Sequence, residues 1–180
     1  MATEERPLSY FDKLRGSKPY SGIPYPKWYI PIIAGAGGLI GIGIIQLLST
    51  EWDLVQCFIV PFGASCVLLF AAPAAPFSQP RNVIGGHIIA ALVGLAVYAI
   101  FEEVTWWSLG IANGVAILLM VATKTVHPPA GATAFLPLLS GITDWSWAFV
   151  PVGVGAVILV AIALVYSNLF KHQRYPAFWW

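Results

Sequence analysis

Residues Lys124 to Ser140 read KTVHPPAGATAFLPLLS, and this stretch decides the fold. It is apolar enough to lie in a membrane, yet His127, Pro128 and Pro129 do not fit inside an ordinary spanning helix, because proline lacks the backbone donor and clashes with the preceding turn. Proline suits the first turn of a helix, so the stretch predicts an extended entry through Val126 and His127 and then a helix from Pro129 to Leu139. Such a helix, about eleven residues at about 1.5 Å each, covers roughly half of a hydrocarbon core of about 30 Å. Its N-terminus, with unpaired N–H groups, is expected near mid-membrane.

The pattern occurs once in each half of the chain. Pro61-Phe62-Gly63-Ala64-Ser65-Cys66-Val67-Leu68 and Pro129-Ala130-Gly131-Ala132-Thr133-Ala134-Phe135-Leu136 share Pro-x-Gly-Ala-(Ser/Thr)-small-apolar-Leu. In a chain with 58% hydrophobic and 9% charged residues, long uncharged runs point to a multi-span membrane protein. The net charge of +1 and the lack of a basic stripe argue against a nucleic-acid partner, and no zinc spacing, phosphate loop or nucleophile elbow is present. Cys57 and Cys66 share one apolar run, which argues against a disulfide framework. No catalytic residue, metal or cofactor is expected.

The chain divides into a cytoplasmic arm at 1–27, one transmembrane domain at 28–170 and a cytoplasmic tail at 171–180. The spans are expected at Ile30 to Leu48, Val55 to Ala72, Asn82 to Phe101, Ser108 to Thr123, the broken 124–140 stretch, and Phe149 to Phe170. The second and fifth are broken at Pro61 and Pro129. Gly86, Ala90 and Gly94, at four-residue spacing, form a small-residue seam for a neighbouring helix. With six crossings and a cytoplasmic N-terminus, all 9 Lys and Arg fall inside, and Glu51, Asp53, Glu102, Glu103 and Asp144 fall outside, as the positive-inside preference requires. Four crossings would mix the two sets.

Three crossings per half make the halves inverted repeats, whose broken helices run antiparallel with their N-termini facing each other. Two such termini form an anion site, with hydroxyls from Ser65 and Thr133 and with glycines that let the ligand approach the backbone. The substrate-binding set is Pro61, Phe62, Gly63, Ala64, Ser65, His127, Pro128, Pro129, Ala130, Gly131, Ala132 and Thr133. His87, Arg81, Asn82 and Lys124 are assigned to the gate or vestibule. His127 is either a proton-coupling group or the end of the extended entry, and His87 is either functional or an interhelical hydrogen-bonding group. Arg81 and Lys124 either draw anions to the mouth or set topology.

The runs His127-Pro128-Pro129-Ala130-Gly131, Pro61-Phe62-Gly63-Ala64-Ser65 and Pro80-Arg81-Asn82 resemble the HPP family of integral membrane proteins, over about residues 25 to 170. The family is often described with four spans, whereas the charge pattern here favours six. Its plastid members are associated with nitrite transport, so the resemblance implies a small inorganic anion as substrate, nitrite first and nitrate second. The expected protein is an all-α transporter or channel in a plasma or inner membrane, its partners being that anion, the lipid bilayer and a second copy of itself in a homo-oligomer. The competing class is a membrane enzyme or a non-transporting assembly subunit.

Overall fold

The computed structural model describes residues 26–51, 59–171 and 173–180. Every regular element among them is helical. Helix α1 spans Tyr29–Glu51. Helix α2, Pro61–Cys66, continues in a π-helical stretch, Val67–Ala71. After a 3₁₀ turn at Pro76–Ser78 comes α3, Pro80–Phe101, and then α4, Trp106–Ala122. Two short helices, α5 at Ala130–Thr133 and α6 at Leu136–Ser140, are followed by a 3₁₀ turn at Trp145–Ala148 and a π-helical stretch at Phe149–Val154. That stretch leads into α7, Gly155–Asn168. Three helical runs are long and apolar enough to cross a membrane, namely Tyr29–Thr50, Pro80–Phe101 and Trp145–Asn168. Pro61–Ala71, Trp106–Ala122 and Ala130–Ser140 are shorter apolar helical runs.

Local chemistry sets most of the boundaries. Proline at the first turn starts α2 and α3, where the missing N–H costs nothing. Helix α3 therefore begins at Pro80 rather than at the expected Asn82. A capping box starts α4: the Ser108 N–H donates to Thr105 Oγ1 at 3.1 Å and the Thr105 N–H donates to Ser108 Oγ at 2.9 Å. The fifth segment starts within one residue of expectation, with Pro129 as the N-cap of α5, but it is not one helix. Pro137 sits in the first turn of α6. A continuous helix would set its ring against the carbonyl of Thr133, and the break at Ala134 and Phe135 avoids that clash.

Helix α3 is the axis of the bundle. One face of it, with Val83, Ala91 and Leu95, packs against Phe62 and Leu69 of the second segment and Val152 and Leu159 of the last. The other face, with Ala90, Val93 and Val97, packs against Ala112, Ala116 and Met120 of α4 and Ala130, Ala134 and Leu138 of the broken segment. Leu39, Ile117, Leu118 and Val165 point outward and are exposed, as lipid-facing side chains are.

The path of the broken segment follows from one unusual residue. Lys124 takes the left-handed conformation at φ 58°, and beside it the Lys124 N–H donates to Val121 O and the Thr125 N–H to Met120 O. This is a Schellman close to α4 with lysine where glycine is usual. It turns the chain back along α3, where Gly85 and Gly86 admit it: a Cβ on Gly86 would lie 2.8 Å from His127 Cβ and 2.9 Å from Thr125 O. Further along, a Cβ on Gly94 would collide with the Ala134 carbonyl and meet Pro137 Cδ at 3.0 Å. The partner of the small-residue seam is thus the broken segment itself.

The ends of the bundle differ in charge. Arg81 Nη2 donates to Thr123 O at 2.6 Å and Tyr175 Oη donates to Ser78 O at 2.9 Å, so Arg81, Lys124, Lys171 and Arg174 gather at one end. Glu102 and Glu103, just past the end of α3, mark the other. Residues 175–177 pack back onto the bundle. Tyr175 is buried, Asn168 Nδ2 donates to its carbonyl, and the Ala177 N–H donates to Gln79 Oε1 at 2.8 Å. The charges Arg6, Lys13, Arg15 and Lys18, with Trp52, Asp53 and Cys57, lie outside the described residues.

Candidate functional site

Four fully buried polar side chains, Ser65, His87, His127 and Thr133, come together from α2, α3, the entry strand and α5. Each is positioned by a feature already described. Pro61 starts α2, so that Ser65 lies one turn in, with its Oγ 3.3 Å from Pro61 O. Gly86 brings the extended entry into contact with α3, which sets His127 beside His87 with ring centroids 5.0 Å apart. Pro129 starts α5, and this places Thr133 on the opposite side of His87 from Ser65. The Phe62 ring stands edge-on to His87, with centroids 5.0 Å apart and planes at 86°.

These groups form one chain of hydrogen bonds. His127 Nδ1 lies 2.7 Å from Phe77 O, and its Nε2 lies 2.8 Å from Ser65 Oγ. Ser65 Oγ is 2.9 Å from His87 Nε2, and His87 Nδ1 is 2.8 Å from Thr133 Oγ1. A carbonyl only accepts, so His127 carries its proton on Nδ1 and its Nε2 accepts from the Ser65 hydroxyl. Ser65 has then spent its only donor, so His87 Nε2–H donates to it and His87 Nδ1 accepts from Thr133. With both rings neutral, every donor and acceptor in the chain is paired.

The equivalent hydroxyls of the two Pro-x-Gly-Ala motifs thus meet the two nitrogens of one imidazole. The group lies about 9 Å along α3 from Arg81 and about 21 Å from Phe101, at 1.5 Å per residue. It is therefore displaced from the middle of α3 toward the basic end.

Several expected site residues lie elsewhere. Gly63 and Ala64 are exposed on the outer surface of α2, and a Cβ on Gly63 would meet nothing within 4 Å. Ala132 and Pro128 are exposed, and half-buried Gly131 faces Asn113 Oδ1, 3.2 Å from where a Cβ would stand. Pro61, Pro129 and Ala130 are buried as supports for the helix starts. The expectation of free N–H groups at those starts is corrected. Phe62 and Gly63 donate to Ile59 O and Val60 O at 2.9 and 3.1 Å. Ala130, Gly131 and Ala132 donate to His127 O, Pro128 O and Pro129 O. The tight entry turns use those donors, which leaves the polar side chains as the candidate site. Asn82 Nδ2 donates to Val126 O at 2.9 Å, which holds the entry strand, and Lys124 is exposed beyond it.

Phe77 and Gln79 were not foreseen. The Phe77 carbonyl fixes the His127 tautomer, and Gln79 holds the loop bearing it through bonds from Nε2 to Pro73 O and Ala75 O. A backbone carbonyl has no signature in a sequence. Among the described residues no cluster of three or more His, Cys, Asp or Glu is placed to hold a metal.

A sequence profile described as the HPP transmembrane region matches residues 23–176. A transmembrane protein of Dictyostelium discoideum is 39% identical over 125 residues, covering 66% of this chain and 40% of the relative. A second transmembrane protein of that organism is 31% identical over 186 residues, covering 96% of this chain and 64% of the relative. The chain thus spans less than two thirds of the length of either relative. No solved structure matches it.

Proposed function

We propose, from the premise that this chain belongs to the HPP transmembrane family, that this integral membrane protein carries a small inorganic monoanion, with nitrite favoured over nitrate. In this reading all six apolar segments cross the bilayer as two inverted three-segment repeats. Two sets of contacts support it. Gly37 and Gly41 of α1 face Phe70 and Cys66 in turn, so the second segment runs antiparallel to α1. The broken 125–141 stretch runs alongside α3, past Gly86, Gly94 and Tyr98. The basic end, with Arg81, Lys124, Lys171 and Arg174, then faces the cytoplasm by the positive-inside preference, and Glu102, Glu103 and Asp144 face outward.

The observation that carries the reading is the hydrogen-bonded chain His127–Ser65–His87–Thr133, whose four side chains are fully buried. Polar groups at membrane depth are costly, and they mark transport pathways by default. The chain offers the two hydroxyls and the His87 Nε2–H to a ligand that opens it, and these three donors can turn toward an anion. Arg81 and Lys124 at the near end raise the local anion concentration. The test is flux of nitrite, nitrate and chloride into proteoliposomes holding the purified protein. Saturable, protein-dependent nitrite entry is expected. Entry of none of the three would leave the enzyme or assembly-subunit reading.

A further inference from the structure

The hydrogen-bond chain contains a place for one additional proton. Placed on His127 Nε2, the proton turns that atom from acceptor to donor, so Ser65 Oγ receives two N–H bonds, from His127 and His87. Its own hydrogen then rotates to Pro61 O, which stands 3.3 Å away. No heavy atom has to move, because a hydroxyl has two acceptor lone pairs and a freely turning donor. His87 is less well provided. A proton on its Nδ1 would evict the Thr133 hydrogen, and Thr133 Oγ1 has no other partner among the described residues. A second proton would set two imidazolium rings at the 5.0 Å separation of their centroids, where like charges repel strongly. The device holds one proton, on His127.

The loaded site carries one positive charge with no counter-charge beside it. The remaining titratable or charged groups on the surrounding elements are few. Among the described residues they are Cys66 on α2, Arg81 at the start and Tyr98 near the end of α3, Lys124 after α4, Tyr166 on α7, and Tyr175, whose hydroxyl is bonded to Ser78 O. No described carboxylate stands at this level, since Glu102 is about 22 Å along α3 from His87 and Asp144 lies beyond α6. A lone buried charge is expensive whether it is the imidazolium or the anion, and together the two are neutral.

We infer that the site binds a monoanion only together with one proton on His127, so that the protein moves the pair and no net charge. The proton is taken from water on the side of entry and released with the anion on the other side. This rests on the transport reading above.

The test uses proteoliposomes with an internal pH dye, nitrite as the probe, nitrate as an arm free of acid leak, and a valinomycin-set potassium potential. Protein-free vesicles subtract the passage of free nitrous acid. One proton should enter per protein-dependent nitrite, at a rate unchanged by the potential and rising about tenfold per unit fall in external pH while the imidazole is mostly neutral. His127→Gln should abolish the proton uptake. Nitrite entry that follows the potential without acidification would overturn the inference and leave anion transport standing, as would unchanged coupling in His127→Gln. If no anion enters through the protein, both fall. The stoichiometry of the parent protein decides even if the variant does not fold.

Discussion

Replacing Ser65 by alanine tests the hydrogen-bond chain through stability alone, independently of any substrate. In the parent the Ser65 hydroxyl accepts from His87 Nε2 at 2.9 Å and donates to His127 Nε2 at 2.8 Å, so alanine leaves one buried donor and one buried acceptor unpaired. Each such orphan costs about 1–3 kcal/mol, which puts the sum at about 2–6 kcal/mol. Interhelical side-chain bonds in membrane proteins average about 0.6 kcal/mol and reach about 1.7, because the unfolded state also finds partners. Ser65 serves two partners, and the missing oxygen leaves too little room for water, so the expected loss is at least about 2 kcal/mol. Denaturant unfolding in lipid or detergent micelles, followed by the fluorescence of the 8 tryptophans, reads it. Ser167→Ala is the control: among the described residues Ser167 Oγ is the buried side-chain polar atom without a partner, so its removal should be neutral or stabilising. If Ser65→Ala unfolds within about 0.5 kcal/mol of the parent, a shift typical of inconsequential surface changes, the two histidines do not depend on that hydroxyl and the chain is wrongly drawn.

Gly94→Val should destabilise by more than the roughly 1–3 kcal/mol of ordinary overpacking, because its Cβ meets the Ala134 carbonyl. Gly63→Val, where a Cβ has open space, should stay within about 0.5 kcal/mol of the parent in the same assay. With the native cysteines removed, single cysteines at exposed Ala74 and Lys171 should be labelled from the cytoplasmic side only. Ones at Glu103 and Asp144 should be labelled from the other side only, and labelling of Ala74 together with Asp144 would defeat the six-crossing arrangement. Asp144 holds its carboxyl below the ordinary value of 3.8 because the Ser146 hydroxyl and then its N–H donate to it. A depressed value in the folded state means that this cap contributes above the unfolded value and is lost as pH falls through the folded one. Carbon-detected titration should give a midpoint below 3.8 in the parent and one closer to it in Ser146→Ala, and identical midpoints would remove the cap.

Much of the architecture was legible in the sequence because proline and glycine act locally. Pro61 and Pro129 set helix starts through a missing N–H, as Pro80 also does two residues before the expected Asn82, and Gly86, Ala90 and Gly94 announced a close contact by their spacing. Uncharged length announced the membrane, and the sequence singles out Ser65, His127 and Thr133 as binding candidates and His87 as a gate candidate. Their joint geometry was not legible. That one imidazole links the hydroxyls of both motifs depends on the level at which α2 and α5 meet α3, and that level is set by packing among residues far apart in sequence. The free N–H groups expected at the helix starts are taken up by entry turns whose carbonyls fold back onto them. The outward direction of Gly63 and Ala64 follows from the rotation of α2 about its axis, which is fixed by Phe62 and Phe70 entering the core. The Phe77 carbonyl, which sets the tautomer of His127, and the final residues that fold back onto Gln79 belong to tertiary structure alone. A backbone group or a returning terminus acquires its partner only when the chain has closed, whereas a proline acts on the turn it occupies.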